Sequence, residues 1–197
     1  MNMLENYYEE QVIKDRKYQN ITKEQYQFID CTFENCSFED CKITGCVFVN
    51  CKFYNCNIIS LTSKHSEIKN AAFHKCNLIG LHCWNELLPV GKYAHSIDKL
   101  ENCHLKYNSF IEMSFRKFDF SSNMIQESIF EKCDLQESNF MDCRLEATQF
   151  FRCDIRNADF RDAKGYAIDI LTNKIKQAKF SYPEVMSLLT SLEIEID

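Results

Sequence analysis

Apolar residues along this chain recur neither at the spacing of about 3.6 that marks a helix nor at the spacing of two that marks a flat strand. They recur every five residues. The stretch TFENC SFEDC KITGC VFVNC KFYNC, Thr32 to Cys56, shows the pattern: a large apolar residue at the centre of each unit, and a small residue, mostly cysteine, two positions before it. The centres are Phe28, Phe33, Phe38, Ile43, Phe48, Phe53, Ile58, Ile68, Phe73 and Leu78, with Cys31, Cys36, Cys41, Cys46, Cys51, Cys56 and Cys76 among the small partners. A second run in a different phase has centres at Leu100, Leu105, Phe110, Phe115, Phe120, Ile125, Phe130, Leu135, Phe140, Leu145, Phe150, Ile155 and Phe160. Thirteen of the sixteen Phe are centres, and eleven of the twelve Cys stand two before one, so the period is built into the composition.

Inside a unit, small-x-large reads as a very short strand: two inward residues flank an outward one, and the remaining two must turn the chain. Repeated without interruption, this coils the backbone around its own core. Residues stacked in one column of such a coil should resemble each other, and a spacing of twenty does this best. It aligns Phe33, Phe53 and Phe73, then Phe110, Phe130 and Phe150, and separately Leu105, Ile125 and Leu145, whereas a spacing of fifteen mixes Phe with Leu. The sequence therefore predicts an all-β solenoid of four-faced coils, about six of them, with like rings stacked at about 4.8 Å. Its open ends need covering against edge-to-edge association.

The units CTFEN, CSFED, CKFYN, CDLQE and ADFRD resemble the A(D/N)LXX consensus of the pentapeptide-repeat proteins over roughly Tyr26 to Ala163. The resemblance implies a right-handed quadrilateral β-helix.

The breaks in the pattern suggest the organisation. Residues 1–25 lack the repeat and are expected to cover the first coil; 26–81 form a first repeat block and 100–165 a second, in one continuous solenoid. Between them, 82–99 reads as a loop, because Leu78 and Leu100 lie 22 residues apart, two more than a coil. Its Trp84, Leu87, Leu88, Val90 and Tyr93 are too apolar for a plain solvent loop and either fold back or present anchors to a partner. Ser63 at a centre and Ser66 at a small position predict a bulged coil from Leu61 to Asn70. Asn108 and Asn123, at small positions, need internal hydrogen-bond partners. Residues 166–197 form a C-terminal cap: Ser181 and Glu184 read as a capping box, followed by Val185, Leu188, Leu189 and Leu192 at helical spacing. An α-helix is predicted there that either caps the last coil or pairs with a second copy, with Ile194 and Ile196 in an extended tail.

Composition narrows the function. A net charge of -6 gives no basic footprint for nucleic acid or for an anionic membrane. No apolar run approaches the roughly 18 residues of a membrane span, and Met1 to Glu10 is acidic, so the expectation is a soluble cytoplasmic protein. The repeated Cys spacing invites a metal or disulfide reading, but units on successive faces approach from four directions and cannot converge on one ion. Cysteine serves instead as a small buried residue, with free thiols. None of the motifs HExxH, GxxxxGK(S/T), GxGxxG or GxSxG occurs, and outward acids such as Asp134, Asp154 and Asp159 read as solvated repeat positions. No enzyme and no cofactor are predicted.

The plan of two repeat blocks, a break and a final helix resembles the Qnr-type quinolone-resistance proteins, as do LKYNSF, Leu105 to Phe110, and YPEVMSLLTSLEIEI, Tyr182 to Ile196. That resemblance implies a homodimer joined through the C-terminal helix, imitating duplex DNA and binding a type II topoisomerase. Duplex DNA carries about one charge per 1.7 Å. Tyr26 to Phe160 holds eighteen acids against fourteen bases, so mimicry requires the acids to gather on one or two faces. The leading expectation is a protein-binding scaffold, with the gyrase-directed DNA mimic as the alternative.

Overall fold

The computed structural model describes residues 6–87, 96–192 and 194. The chain forms two compact units, Met1–His104 and Leu105–Asp197. Each is a solenoid of parallel strands, mostly three residues long, with four faces per turn.

In the first unit, strands Gln27–Ile29, Val47–Val49 and Glu67–Lys69 stack on one face, and Thr32–Glu34, Lys52–Tyr54 and Ala71–His74 on the next. Ser37–Glu39, Asn57–Ile59 and Asn77–Ile79 make the third face, and Lys42–Thr44 with Thr62–Lys64 the fourth. Up to Ile79 the register is twenty: Phe33 pairs with Phe53, and Phe53 with Phe73. Their rings are stacked 4.8 Å apart and nearly parallel, at 5° and 13°. In the second unit the rings of Phe110, Phe130 and Phe150 stack at 4.7 and 5.0 Å, and Phe120, Phe140 and Phe160 at 4.6 and 4.7 Å.

The fifth residue of nearly every unit has positive φ, between 47° and 66° at most corners, which Asn, Asp and Gly tolerate best. These corner residues stack as well: the Asn50 amide donates to Asp30 at 2.9 Å and the Asn70 amide to Asn50 at 3.0 Å.

The solenoid reaches beyond the expected limits at both ends. Strands Tyr7–Glu9, Val12–Lys14, Lys17–Gln19 and Thr22–Glu24 form a complete coil where a non-repeating cover was expected, with Tyr8, Ile13, Tyr18 and Lys23 at the centres. Its small positions hold Asn6, Gln11, Arg16 and Ile21, which hides the repeat. Long polar side chains fit there because an end coil has a neighbour on one side only; Gln11 and Arg16 are exposed. At the other end, Lys164–Ile168 and Lys179–Phe180 extend the second unit past residue 165. The chain loses two residues, so that Phe150 pairs with Ile168, and recovers the register where Asp159 pairs with Lys179.

The break after Leu78 is larger than the expected two residues. Leu100 pairs with Phe73, 27 residues away, so the insertion is seven residues and Leu100 lies on a different face from Leu78. The bulge falls between Ala71 and Ala72, whereas the coil through Ser63 and Ser66, where one was expected, pairs without a shift.

The C-terminal helix, Glu184–Leu192, winds as a 3-10 helix instead of an α-helix and packs against Lys164–Ile168. With three residues per turn the expected stripe splits. Leu188 is buried, Val185 and Leu189 are half-buried, and Leu192 is exposed beside Met186. Ser181 and Glu184 form no capping box. The Ser181 hydroxyl accepts from the Asp162 amide at 3.1 Å and the Glu184 carboxylate from the Gly165 amide at 2.6 Å, fastening the segment to the coil beneath.

The corners separate the two units. In the second, at the corners after Phe115, Phe120, Leu135, Phe140, Ile155 and Phe160, the amide three residues after the centre donates to that centre's carbonyl, as Ser138 does to Leu135 at 3.2 Å and Ala158 to Ile155 at 3.1 Å. No corner between Tyr7 and Ile79 closes this way; its amides bond only to neighbouring coils.

Gly165 sits at φ +75°, where an added Cβ would lie 2.7 Å from the Glu146 Cα. Gly165→Ala is expected to destabilise the protein by about 2 kcal/mol, the scale of a left-handed non-glycine residue, before the clash is added. A lowered denaturant midpoint would register it; an unchanged midpoint would contradict this packing.

Candidate functional site

All twelve cysteines are buried and free. Ten of the thiols donate to the carbonyl of a centre residue 23 positions back, among them Cys56 to Phe33 at 3.5 Å, Cys76 to Phe53 at 3.3 Å, Cys133 to Phe110 at 3.2 Å and Cys143 to Phe120 at 2.8 Å. Thr148 donates to Ile125 at 2.6 Å and Asn173 to Phe150 at 2.8 Å from the same repeat position, so the site needs a compact donor more than it needs sulfur. The expected internal partners of the asparagines are present: the Asn108 amide reaches the Lys106 carbonyl at 3.1 Å and Asn123 the Phe120 carbonyl at 2.9 Å. Burial pushes the thiols of Cys51 and Cys143 up to about 12.

The outward carboxylates are held by cations. Arg156 clasps Asp154 at 2.7 Å, with Lys174 at 3.8 Å, and Arg161 clasps Asp159 at 2.6 Å, with Lys179 at 3.5 Å. These hydrogen bonds hold both carboxyls below the usual aspartate range. Asp134 stacks with Asp154, while Asp159 lies on the adjoining face. The acids therefore form salt-bridged columns and no opposed pair. Lys132 reaches Glu112 at 3.1 Å, Lys106 reaches Glu127 at 3.0 Å, and in the first unit Lys14 reaches Glu34 at 2.7 Å.

The apolar candidates divide. Trp84 and Leu87, on the 3-10 turn Trp84–Leu87, are each 2% exposed, and the Trp84 ring meets Phe73 edge-on. They fold back into the first unit and are not presented as anchors. Leu88, Val90 and Tyr93 lie outside the described residues, as does Ile196. Of the C-terminal set only Leu192 is exposed; it shares the surface with Tyr182, Met186 and Ile194, of which Tyr182 and Met186 lay outside the expected stripe.

Two features escape sequence reasoning because only folding brings their parts together. His74 Nδ1 lies 3.1 Å from Glu101, 27 residues on. Lys23 occupies an inward centre, its ammonium 3.3 Å from the Tyr26 hydroxyl. The period of five, extended back from Phe28, points to Lys23, but its charge hides the signal.

The raised thiols carry a pH dependence. A thiol whose folded value lies above its ordinary 9.0 favours the folded state below that value and loses this contribution as pH climbs toward about 12. Stability followed by denaturant titration should be flat from neutral pH to about 9 and fall above it. At pH 8 a thiol reagent should leave Cys51 and Cys143 unmodified in native protein and titrate all twelve after denaturation. Rapid native labelling of either residue would contradict the packing.

Eight copies of the pentapeptide repeat match the model of that family, at residues 27–58 and 126–164. No curated protein matches the chain. Among solved structures, a trypsin-treated variant of QnrB1, a plasmid-mediated fluoroquinolone resistance protein, is 15% identical at a TM-score of 0.42, covering 94% of this chain and 100% of that one. Full-length QnrB1 is 17% identical at 0.34, covering 95% and 100%. HetL, a pentapeptide-repeat protein of the cyanobacterium Nostoc involved in heterocyst differentiation regulation, is 9% identical at 0.37, covering 89% and 87%. The matched copies, the five-residue period on either side of them and the four-faced coil with its twenty-residue register agree: residues 27–58 and 126–164 are pentapeptide repeats, and the coil carries their period beyond them.

Proposed function

We propose that this chain is a non-enzymatic scaffold that binds another protein on the outside of its coils. The observation that carries this reading is the outward charge pattern. Asp154 and Asp159, on adjoining faces, each have an arginine and a lysine on the same face within 2.6 to 3.8 Å. A DNA mimic directed at gyrase or topoisomerase IV, of the kind that confers fluoroquinolone resistance, calls for a continuous acidic face with the bases elsewhere. Mixed, mutually paired charges suit a protein partner whose surface is itself mixed. Twelve free cysteines fit a reducing cytoplasm.

We also infer a homodimer through the C-terminal segment. Tyr182, Met186, Leu192 and Ile194 are 83%, 39%, 39% and 54% exposed and lie within thirteen residues of one another, an apolar surface at a place the repeat does not require. A second copy of the same surface is its simplest partner.

In a gyrase supercoiling assay, with and without a fluoroquinolone, the scaffold reading expects no effect up to tens of micromolar protein. Inhibition, or rescue from the drug, at stoichiometric protein would overturn it in favour of the mimic. Light scattering should give a dimer for the native chain and a monomer for Met186→Asp combined with Leu192→Asp, with the circular dichroism unchanged because both side chains are exposed. A native monomer would remove the dimer.

A further inference from the structure

The two units differ in what lies along their axes. In the second, Phe110, Phe120, Phe130, Phe140 and Phe160 have no exposed surface. In the first, Phe28, Phe38 and Phe48 point inward but are only half-buried, although Phe48 sits in the third coil. A cavity of about 600 Å³ accounts for this, extending from Tyr8, Tyr18 and Lys23 in the first coil to Trp84 and Leu87 at the far end. Its volume is that of a small-molecule site.

Two features accompany the hollow. None of the corners of this unit from Tyr7 to Ile79 is closed by an amide donating to a centre carbonyl, whereas those on two faces of the second unit are. Of its four columns of centres, the one through Lys23, Ile43 and Ser63 holds no aromatic ring. The Ser63 hydroxyl is buried and has no partner among the described residues.

The two ends of the cavity differ. Trp84, 2% exposed, and Leu87 form an apolar floor. At the other end Lys23 is part-exposed, with its ammonium 4.7 Å from the Tyr26 ring and 5.6 Å from the Tyr18 ring. No carboxylate pairs with it among the described residues; its polar contact is the Tyr26 hydroxyl. Arg16 and Lys17 also line this end, opposed by Asp15, while Lys14 is occupied by Glu34.

We propose that the interior of the first unit binds an amphiphile with a single long aliphatic chain and an anionic head, a long-chain fatty acid. The chain lies along the axis among the rings, and the carboxylate meets Lys23. Four stacked coils span about 15 Å, which is half the roughly 30 Å hydrocarbon core of a bilayer and so about the length of one acyl chain. Apolar walls favour the chain through burial, and the Lys23 ammonium, with no carboxylate beside it among the described residues, selects an acid over a neutral lipid.

Trp84 is the single tryptophan of the chain and stands at the floor, so it reports occupancy directly. Palmitate brominated near its methyl end should quench Trp84 fluorescence, and palmitate brominated beside its carboxylate should not. Lys23→Glu should weaken the acid by about ten-fold or more, the scale of a lost charged hydrogen bond, while leaving the corresponding long-chain alcohol nearly unchanged. Lys23→Gln should give an intermediate loss. Ser63→Phe, which fills the open column, should abolish quenching in protein whose circular dichroism is native. Equal quenching by both brominated acids, or quenching indifferent to Lys23→Glu, would mean surface adsorption and overturn the proposal. Absent quenching together with a dimer that Lys23→Glu disperses would put a second copy over the opening and overturn it as well.

Discussion

Each coil is held by the coil next to it. A residue pairs its backbone with the residue twenty positions away and stacks its side chain on that residue's side chain, so one contact type sets register, core and surface together. The Phe ladders, spaced at 4.6 to 5.0 Å, follow from the strand spacing, because an inward ring has nowhere to lie except on its counterpart above and below. The donors two positions before each centre add a second tie between coils, and Cys, Thr and Asn all supply it. An end coil lacks one neighbour, and that is where the repeat becomes hard to read: Arg16 and Gln11 occupy positions that Cys fills one coil later.

The same register constrains the outer surface. An outward residue stacks on its counterpart at the strand spacing, so like charges twenty residues apart are held close together. Asp134 and Asp154 are such a pair, and Arg156 and Lys174 compensate them. A face carrying only carboxylates would accumulate repulsion with every coil. This chain intersperses bases along its faces, which relieves that repulsion.

Corner chemistry differs between the filled coils and the hollow ones. Both units share the period, the inward Phe and the left-handed fifth residue, yet one has a solid core and the other a hollow one. The second unit draws corners in with bonds such as Ser138 to Leu135, while the first relies on coil-to-coil bonds and stacked asparagines such as Asn50 on Asp30. Corners without the closing bond and a column without rings accompany an open axis in the first unit.

The five-residue spacing of Phe and Cys was enough by itself to establish a four-faced solenoid, the twenty-residue register, the ring columns and the structural use of cysteine, because each follows from local periodicity. It did not locate the ends. Tyr8, Ile13, Tyr18 and Lys23 keep the period but carry a charge among the centres, and the last coil is hidden by two residues lost before Ile168 and regained before Lys179. The seven-residue insertion could be sized only from the pairing of Leu100 with Phe73, since spacing alone does not say on which face a strand resumes. Tertiary packing turned Trp84 and Leu87 inward, wound the last helix at three residues per turn and placed Lys174 beside Asp154. These outcomes rest on contacts between residues distant along the chain, or on competition between solvent and a neighbouring coil, and neither leaves a mark in a five-residue repeat.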